Sequence, residues 1–192
     1  MRARVTGLVV VGAVFVLASA VDGRQGLRAA ATIKGDGIAG EVTFREVPAQ
    51  LDGGHDMKFM TGATGVELTV AVTGLKPGAH GFHLHAVGTC EAPGFTSAGG
   101  HFDPGPNGNG DPDANHPFHM GDLPNLVADA GGKATLKAVT TRVTLGPGPL
   151  SVFDADGTAV IVHANGDTGE TAASKAGLSG GPRVACGVVR KQ

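Results

Sequence analysis

The chain has 192 residues, 33 of them Gly and 11 Pro, with neither Trp nor Tyr and a net charge of −2. That length fits one domain with a real hydrophobic core, and the Gly and Pro content favours many turns between short strands over a helix bundle. The slightly acidic balance and the few aromatic rings, eight Phe in all, give no basis for a nucleic-acid partner or for binding an anionic membrane.

The first residues read as a secretory signal. Arg2 and Arg4 precede an apolar run over 5–17, and Ala18-Ser19-Ala20 supplies small residues for cleavage. The run is too short for a membrane anchor, which needs about 20 apolar residues. Removing residues 1–20 leaves 13 basic against 17 acidic residues, a net charge of −4. Residues 21–30 then read as a flexible leader and 31–192 as the folded domain. The expected location is the periplasm or the extracellular space.

From residue 31 the pattern is that of strands. Val66, Leu68, Val70 and Val72 alternate with Glu67, Thr69, Ala71 and Thr73, which predicts one buried and one solvated face. A turn at Leu75-Lys76-Pro77-Gly78 leads to a strand over 81–87. Residues 88–122 lose all periodicity, and a structureless loop of that length in a compact domain is usually functional. Strand patterns resume at 123–129, 133–145 and 158–164, and a second loop over 165–182 precedes a last strand at 183–190. No segment has a helical period. The prediction is an all-β sandwich or flattened barrel with two long functional loops.

The two cysteines, Cys90 and Cys186, lie 96 positions apart. An even pair in an exported chain predicts a disulfide, worth about 4–5 kcal/mol in the chain-entropy model before strain. The rival reading, a thiolate metal site, lacks the CxxC spacing such sites use.

Of eight histidines, six fall between His80 and His119. In the strand Gly81-Phe82-His83-Leu84-His85, alternation turns His83 and His85 to one face and Phe82 and Leu84 to the core. Two imidazoles on a rigid element suit copper or zinc. His101 follows in the first loop, then His116, His119 and Asp122, and His163 ends the hydrophobic run Val160-Ile161-Val162.

The ordered stretches HGFHLH (80–85), TSAGGHFDP (96–104), HMGDLPN (119–125), VIVHANGD (160–167) and GGPRVACGVV (180–189) resemble the copper,zinc superoxide dismutase family, in its bacterial exported form. The likeness runs from about residue 31 to the C-terminus. It implies an eight-stranded Greek-key barrel or sandwich, an immunoglobulin-like architecture that these dismutases themselves exemplify. It implies copper on His83, His85, His101 and His163, with His101 bridging to zinc, and zinc on His101, His119 and Asp122. It implies a Cys90–Cys186 disulfide, Arg183 beside the copper channel, and Asp167 linking the copper and zinc ligands by hydrogen bonds. His80 matches a framework residue, and His55 is expected in solvent. The activity implied is conversion of superoxide, the partner anion, to dioxygen and hydrogen peroxide, with His101 and Arg183 catalytic and copper and zinc as cofactors.

One position departs from the family. The third zinc histidine is expected eight residues after His101, where Asn109 stands. His116 is the replacement predicted here, completing four zinc ligands with His101, His119 and Asp122. The second loop, with Asp167, Glu170 and Lys175, carries less charge than strong substrate guidance would use. A copper-binding or copper-delivery protein on the same fold is the alternative function. The oligomeric state is left open, a homodimer among the options.

Overall fold

The structure is a computed structural model that describes residues 26–48, 64–104, 119–170 and 177–192. The signal segment 1–20, His55, Asn109, His116 and Lys175 lie outside the described residues.

The described chain folds as antiparallel strands: β1 Arg28–Gly35, β2 Ala39–Pro48, β3 Thr64–Thr73, β4 Gly78–His80, β5 Phe82–His85, β6 Leu126–Ala128, β7 Ala134–Thr140, β8 Ala159–His163, β9 Arg183–Val188 and β10 Arg190–Lys191. They form one sheet in the order β4-β6-β7-β3-β2-β1-β9-β8-β5, and β10 pairs with β1. The two ends of that order, β4 and β5, are a single stretch of chain parted only by Gly81, so the sheet closes on itself as a barrel. β9 and β10 likewise run along β1 as one strand interrupted at Val189. Joining these two pairs turns ten segments into the expected eight strands. The crossings from β3 to β4 and from β7 to β8 are Greek-key connections.

The alternation predicted for β3 is the alternation seen. Val66, Leu68, Val70 and Val72 are buried beside Ala29, Ala31 and Ile33 of β1, Val42 and Phe44 of β2, and Phe82 and Leu84 of β5. The C-terminal part of the stretch read as a leader, 21–30, is strand. Arg28–Ala30 already belong to β1, because Ala29 is fully buried and pairs with Phe44. The strands expected at 123–129 and 133–145 are also shorter, 126–128 and 134–140.

β8 does not alternate because both of its faces are covered. Val160 and Val162 enter the barrel, whereas Ala159 and Ile161 pack outside it under Phe95, Ala98 and Cys186. The first loop is thus folded down onto the barrel wall and held there by the Cys90–Cys186 disulfide. It also closes the free edge of β5. Leu84 N–H donates to Gly121 O at 2.9 Å, and Phe102 N–H donates to Leu84 O at 2.9 Å. An edge covered in this way cannot pair with another chain. Only glycine fits at position 121, since a Cβ there would sit 2.4 Å from Leu84 O.

Candidate metal centre

The site grows from the two faces of β5. Phe82 and Leu84 enter the core, so His83 and His85 face outward, yet all four are fully buried because both long loops fold over them. β8 pairs with β5 through Val162 opposite Phe82, and His163 follows next to Gly81; on the other side of β8 the register against β9 shifts between Val162 and His163. His163 N–H donates to Gly81 O at 2.8 Å, and Gly81 N–H donates to Asn165 O at 2.7 Å. The first loop brings His101 in as a bridge partner of His85, and Asp122 as a bridge partner of His83.

The four imidazoles predicted to meet do so. One nitrogen from each of His83, His85, His101 and His163 lies within 4.8 Å of the other three. A second cluster, His101, His119 and Asp122, is equally tight and shares His101 with the first. His80 belongs to neither. Its Nδ1 and Nε2 are each 2.7 Å from a carbonyl oxygen, of His163 and Lys76 respectively, so it braces the framework.

The other nitrogen of each ring in the first cluster is anchored. His85 Nδ1 donates to Gly99 O at 3.0 Å and His163 Nδ1 to Gly181 O at 2.8 Å. His83 uses Nε2 on Asp167 Oδ2 and His101 uses Nδ1 on Asp122 Oδ1, both at 2.7 Å. In His85 and His163 the remaining Nε2 is buried with no hydrogen-bond partner. A buried imidazole nitrogen with a lone pair and no donor is costly unless something else fills the need. A metal ion does, and carboxylate or carbonyl anchors of this kind set the tautomer of metal-binding histidines.

Electrostatics points the same way. Burial pulls His163 down to about 3 and His101 down to about 4, the hydrogen bond that His101 donates to Asp122 opposing it. His85 falls well below its ordinary value through burial and the neighbouring charges of His101 and Arg183. These rings are neutral near pH 7, which is the form that binds metal. For Asp122, burial pushes the carboxyl up, but hydrogen bonds from His101 and His119 outweigh it and hold the group below the usual carboxylate range. A buried carboxylate beside two imidazoles is a hard, anionic donor suited to zinc.

Arg183 is half-buried and reaches across to the first loop. Nη1 donates to Phe95 O at 2.8 Å and Nη2 to Gly99 O at 2.6 Å. Gly99 O therefore serves both Arg183 and the ring of His85 in the four-histidine cluster. Of the two links expected of Asp167, the hydrogen bond to His83 is present, and the zinc-side candidate His116 lies outside the described residues.

Besides the Gly181 carbonyl on His163, three participants were not singled out from the sequence. They are the Gly99 carbonyl, Arg142, whose Nη1 donates to His119 O at 3.1 Å, and Asn125, which pairs with the Asp167 backbone. Asn125 sits inside the HMGDLPN stretch, which was the available signal. A carbonyl leaves none.

A family model described as copper/zinc superoxide dismutase (SODC) matches residues 38–189. The chain belongs to that family. Among relatives, the superoxide dismutase [Cu-Zn] of Caulobacter vibrioides is 39% identical over 84% of this chain and 85% of its own. That of Legionella pneumophila is 36% identical over 79% of this chain and 77% of its own. Among solved structures, a double mutant of a SOD-like protein from Bacillus subtilis superposes with a TM-score of 0.61 at 30% identity, covering 83% of this chain and 95% of its own. The clock protein EA4 superposes with a TM-score of 0.60 at 28% identity, covering 86% and 94%. In a copper/zinc dismutase two adjoining sites are needed, and the two clusters sharing His101 fit both metals of the family's name.

Proposed function

We propose that the chain is a superoxide dismutase with copper on His83, His85, His101 and His163, and zinc on His101, His119, Asp122 and His116. The observation that carries this reading is the shared ring of His101, which belongs to both clusters. Copper, when bound, supplies one-electron cycling that turns two superoxide anions and two protons into dioxygen and hydrogen peroxide.

The chain's own residues do the rest. His101 is fixed through Nδ1 on the Asp122 side, so its Nε2 can take up a proton and hand it to the departing peroxide while the ring stays placed. Arg183 keeps its charge at any working pH and draws the anion inward. Fields focused in this way raise association rates by roughly 10–1000-fold, with superoxide dismutases among the known examples. Asp167, Gly99 and Gly181 hold the other copper-side rings in the tautomers described above.

Export through a cleaved signal over residues 1–20 belongs to the same reading, and the disulfide supports it, since such bonds persist in oxidising compartments. No helix among the described residues is long and apolar enough to cross a membrane.

The test is metal analysis of the purified chain alongside a superoxide dismutation assay. Copper and zinc near one each per chain with rapid turnover is expected. Copper without turnover would favour the delivery alternative, and neither metal would overturn the proposal.

A further inference from the structure

The segment that carries His119 and Asp122 runs on to Asn125, which meets Asp167 42 positions later in the chain. Asn125 Nδ2 donates to Asp167 O at 2.8 Å, and Asp167 N–H donates to Asn125 Oδ1 at 2.9 Å. This is the two-bond ring that paired backbones make, with a side-chain amide standing in for one of them. It fixes both the position and the tilt of the Asp167 peptide.

The Asp167 carboxylate then has defined partners. Oδ1 accepts from Gly169 N–H at 2.7 Å, and Oδ2 accepts from Nε2–H of His83 at 2.7 Å. His83 is fully buried, so that carboxylate decides which of its nitrogens keeps the proton. A cavity of about 470 Å³ lies beside the Asn125–Asp167 pair, lined by Asp122, Asn125, Arg142, Asp167 and Thr168. Without the amide, the Asp167 backbone loses both of its bonds to Asn125. Few side chains could replace it: Asp lacks the donor, and Gln carries an extra methylene.

We infer that Asn125 is a positioning residue for copper, acting through Asp167 to hold His83 with Nε2 protonated and Nδ1 turned to the cluster. It thereby ties the zinc-side segment to a copper ligand by a route separate from His101. This rests on the proposed function.

The experiment compares the full-length chain with Asn125→Ala, Asn125→Asp, Asp167→Asn and the Asn125→Ala/Asp167→Asn double variant. Copper(II) affinity is read by competition with a chelator, and copper geometry by electron paramagnetic resonance. Asn125→Ala should weaken copper by about 10–100-fold, the usual cost of losing a partner behind a metal ligand, and alter the copper hyperfine splitting. Asn125→Asp, which keeps the acceptor, should fall between it and the unaltered chain. Adding Asn125→Ala to Asp167→Asn should change nothing further, because both act on one ring. Summed losses in the double variant, or unaltered affinity and spectrum in Asn125→Ala, would overturn the inference. Urea unfolding of the metal-free forms checks folding, and Asn125→Asp carries the test if the alanine variant does not fold. An unaltered chain that binds no copper on histidine would instead overturn the proposed function.

Discussion

Arg183 Nη2 donates to the carbonyl oxygen of Gly99 at 2.6 Å, and the same oxygen accepts from His85 Nδ1 at 3.0 Å. One carbonyl oxygen thus positions both the Arg183 guanidinium and a ring of the four-histidine cluster. Arg183→Ile should lower kcat/KM by at least roughly tenfold and flatten its salt dependence, with copper content retained. Arg183→Lys keeps the charge but loses the fork, so it should recover only part of the rate. Unchanged activity of the isoleucine variant at low ionic strength would remove Arg183 from the mechanism.

His101 is the residue common to the two clusters, so its loss should not be confined to one metal. His101→Ala should lower both copper and zinc content after dialysis. Removal of His85, which belongs to the four-histidine cluster alone, should spare zinc. Atomic absorption on the two variants decides the matter, and normal content of both metals in His101→Ala would argue against a bridge.

The metal-free protein should be sensitive to acid. His101 and His163 sit at about 4 and about 3 in the folded state, against an ordinary value of about 6.5. Between those limits the unfolded chain binds more protons than the folded one. Stability is therefore full above about pH 6.5 and falls as the pH drops towards 4. The depressed Asp122 adds a further loss below about pH 4. Urea midpoints measured across this range should fall steadily, and less steeply in His163→Ala. A flat profile would contradict the burial of these rings as neutral groups.

The disulfide closes a separation of 96 residues and pins the first loop over Ala159 and Ile161. Replacing Cys90 and Cys186 together by Ser should cost about 2–5 kcal/mol in urea unfolding. It should also loosen Phe95 and Gly99, the two carbonyls that hold Arg183, so activity should fall more than metal content does.

Gly81 joins β4 to β5 where the barrel closes. A Cβ there would stand 2.8 Å from Ser179 O and 3.1 Å from a ring carbon of His83. Gly81→Ala should destabilise the fold by about 1–3 kcal/mol, as overpacking does, and weaken copper binding. Unaltered stability and copper affinity would mean that the second loop yields easily.

The sequence by itself determined the elements and the chemistry. Period-two alternation in residues 66–72 identified a half-buried strand. The spacing of His83 and His85 turned both to one face, and the ordered histidine stretches carried the resemblance to metal-dependent dismutases. It did so because strand periodicity and ligand type are local properties, written in neighbouring residues. Only the tertiary structure decided how the rings are aimed. Closure at Gly81, the backbone bond from His163 to Gly81 and the contact of Asn125 with Asp167 each join residues far apart in the chain. The carbonyls of Gly99 and Gly181 belong to a backbone that every residue shares. No pattern of side chains could announce them as the groups that choose which nitrogen faces the metal.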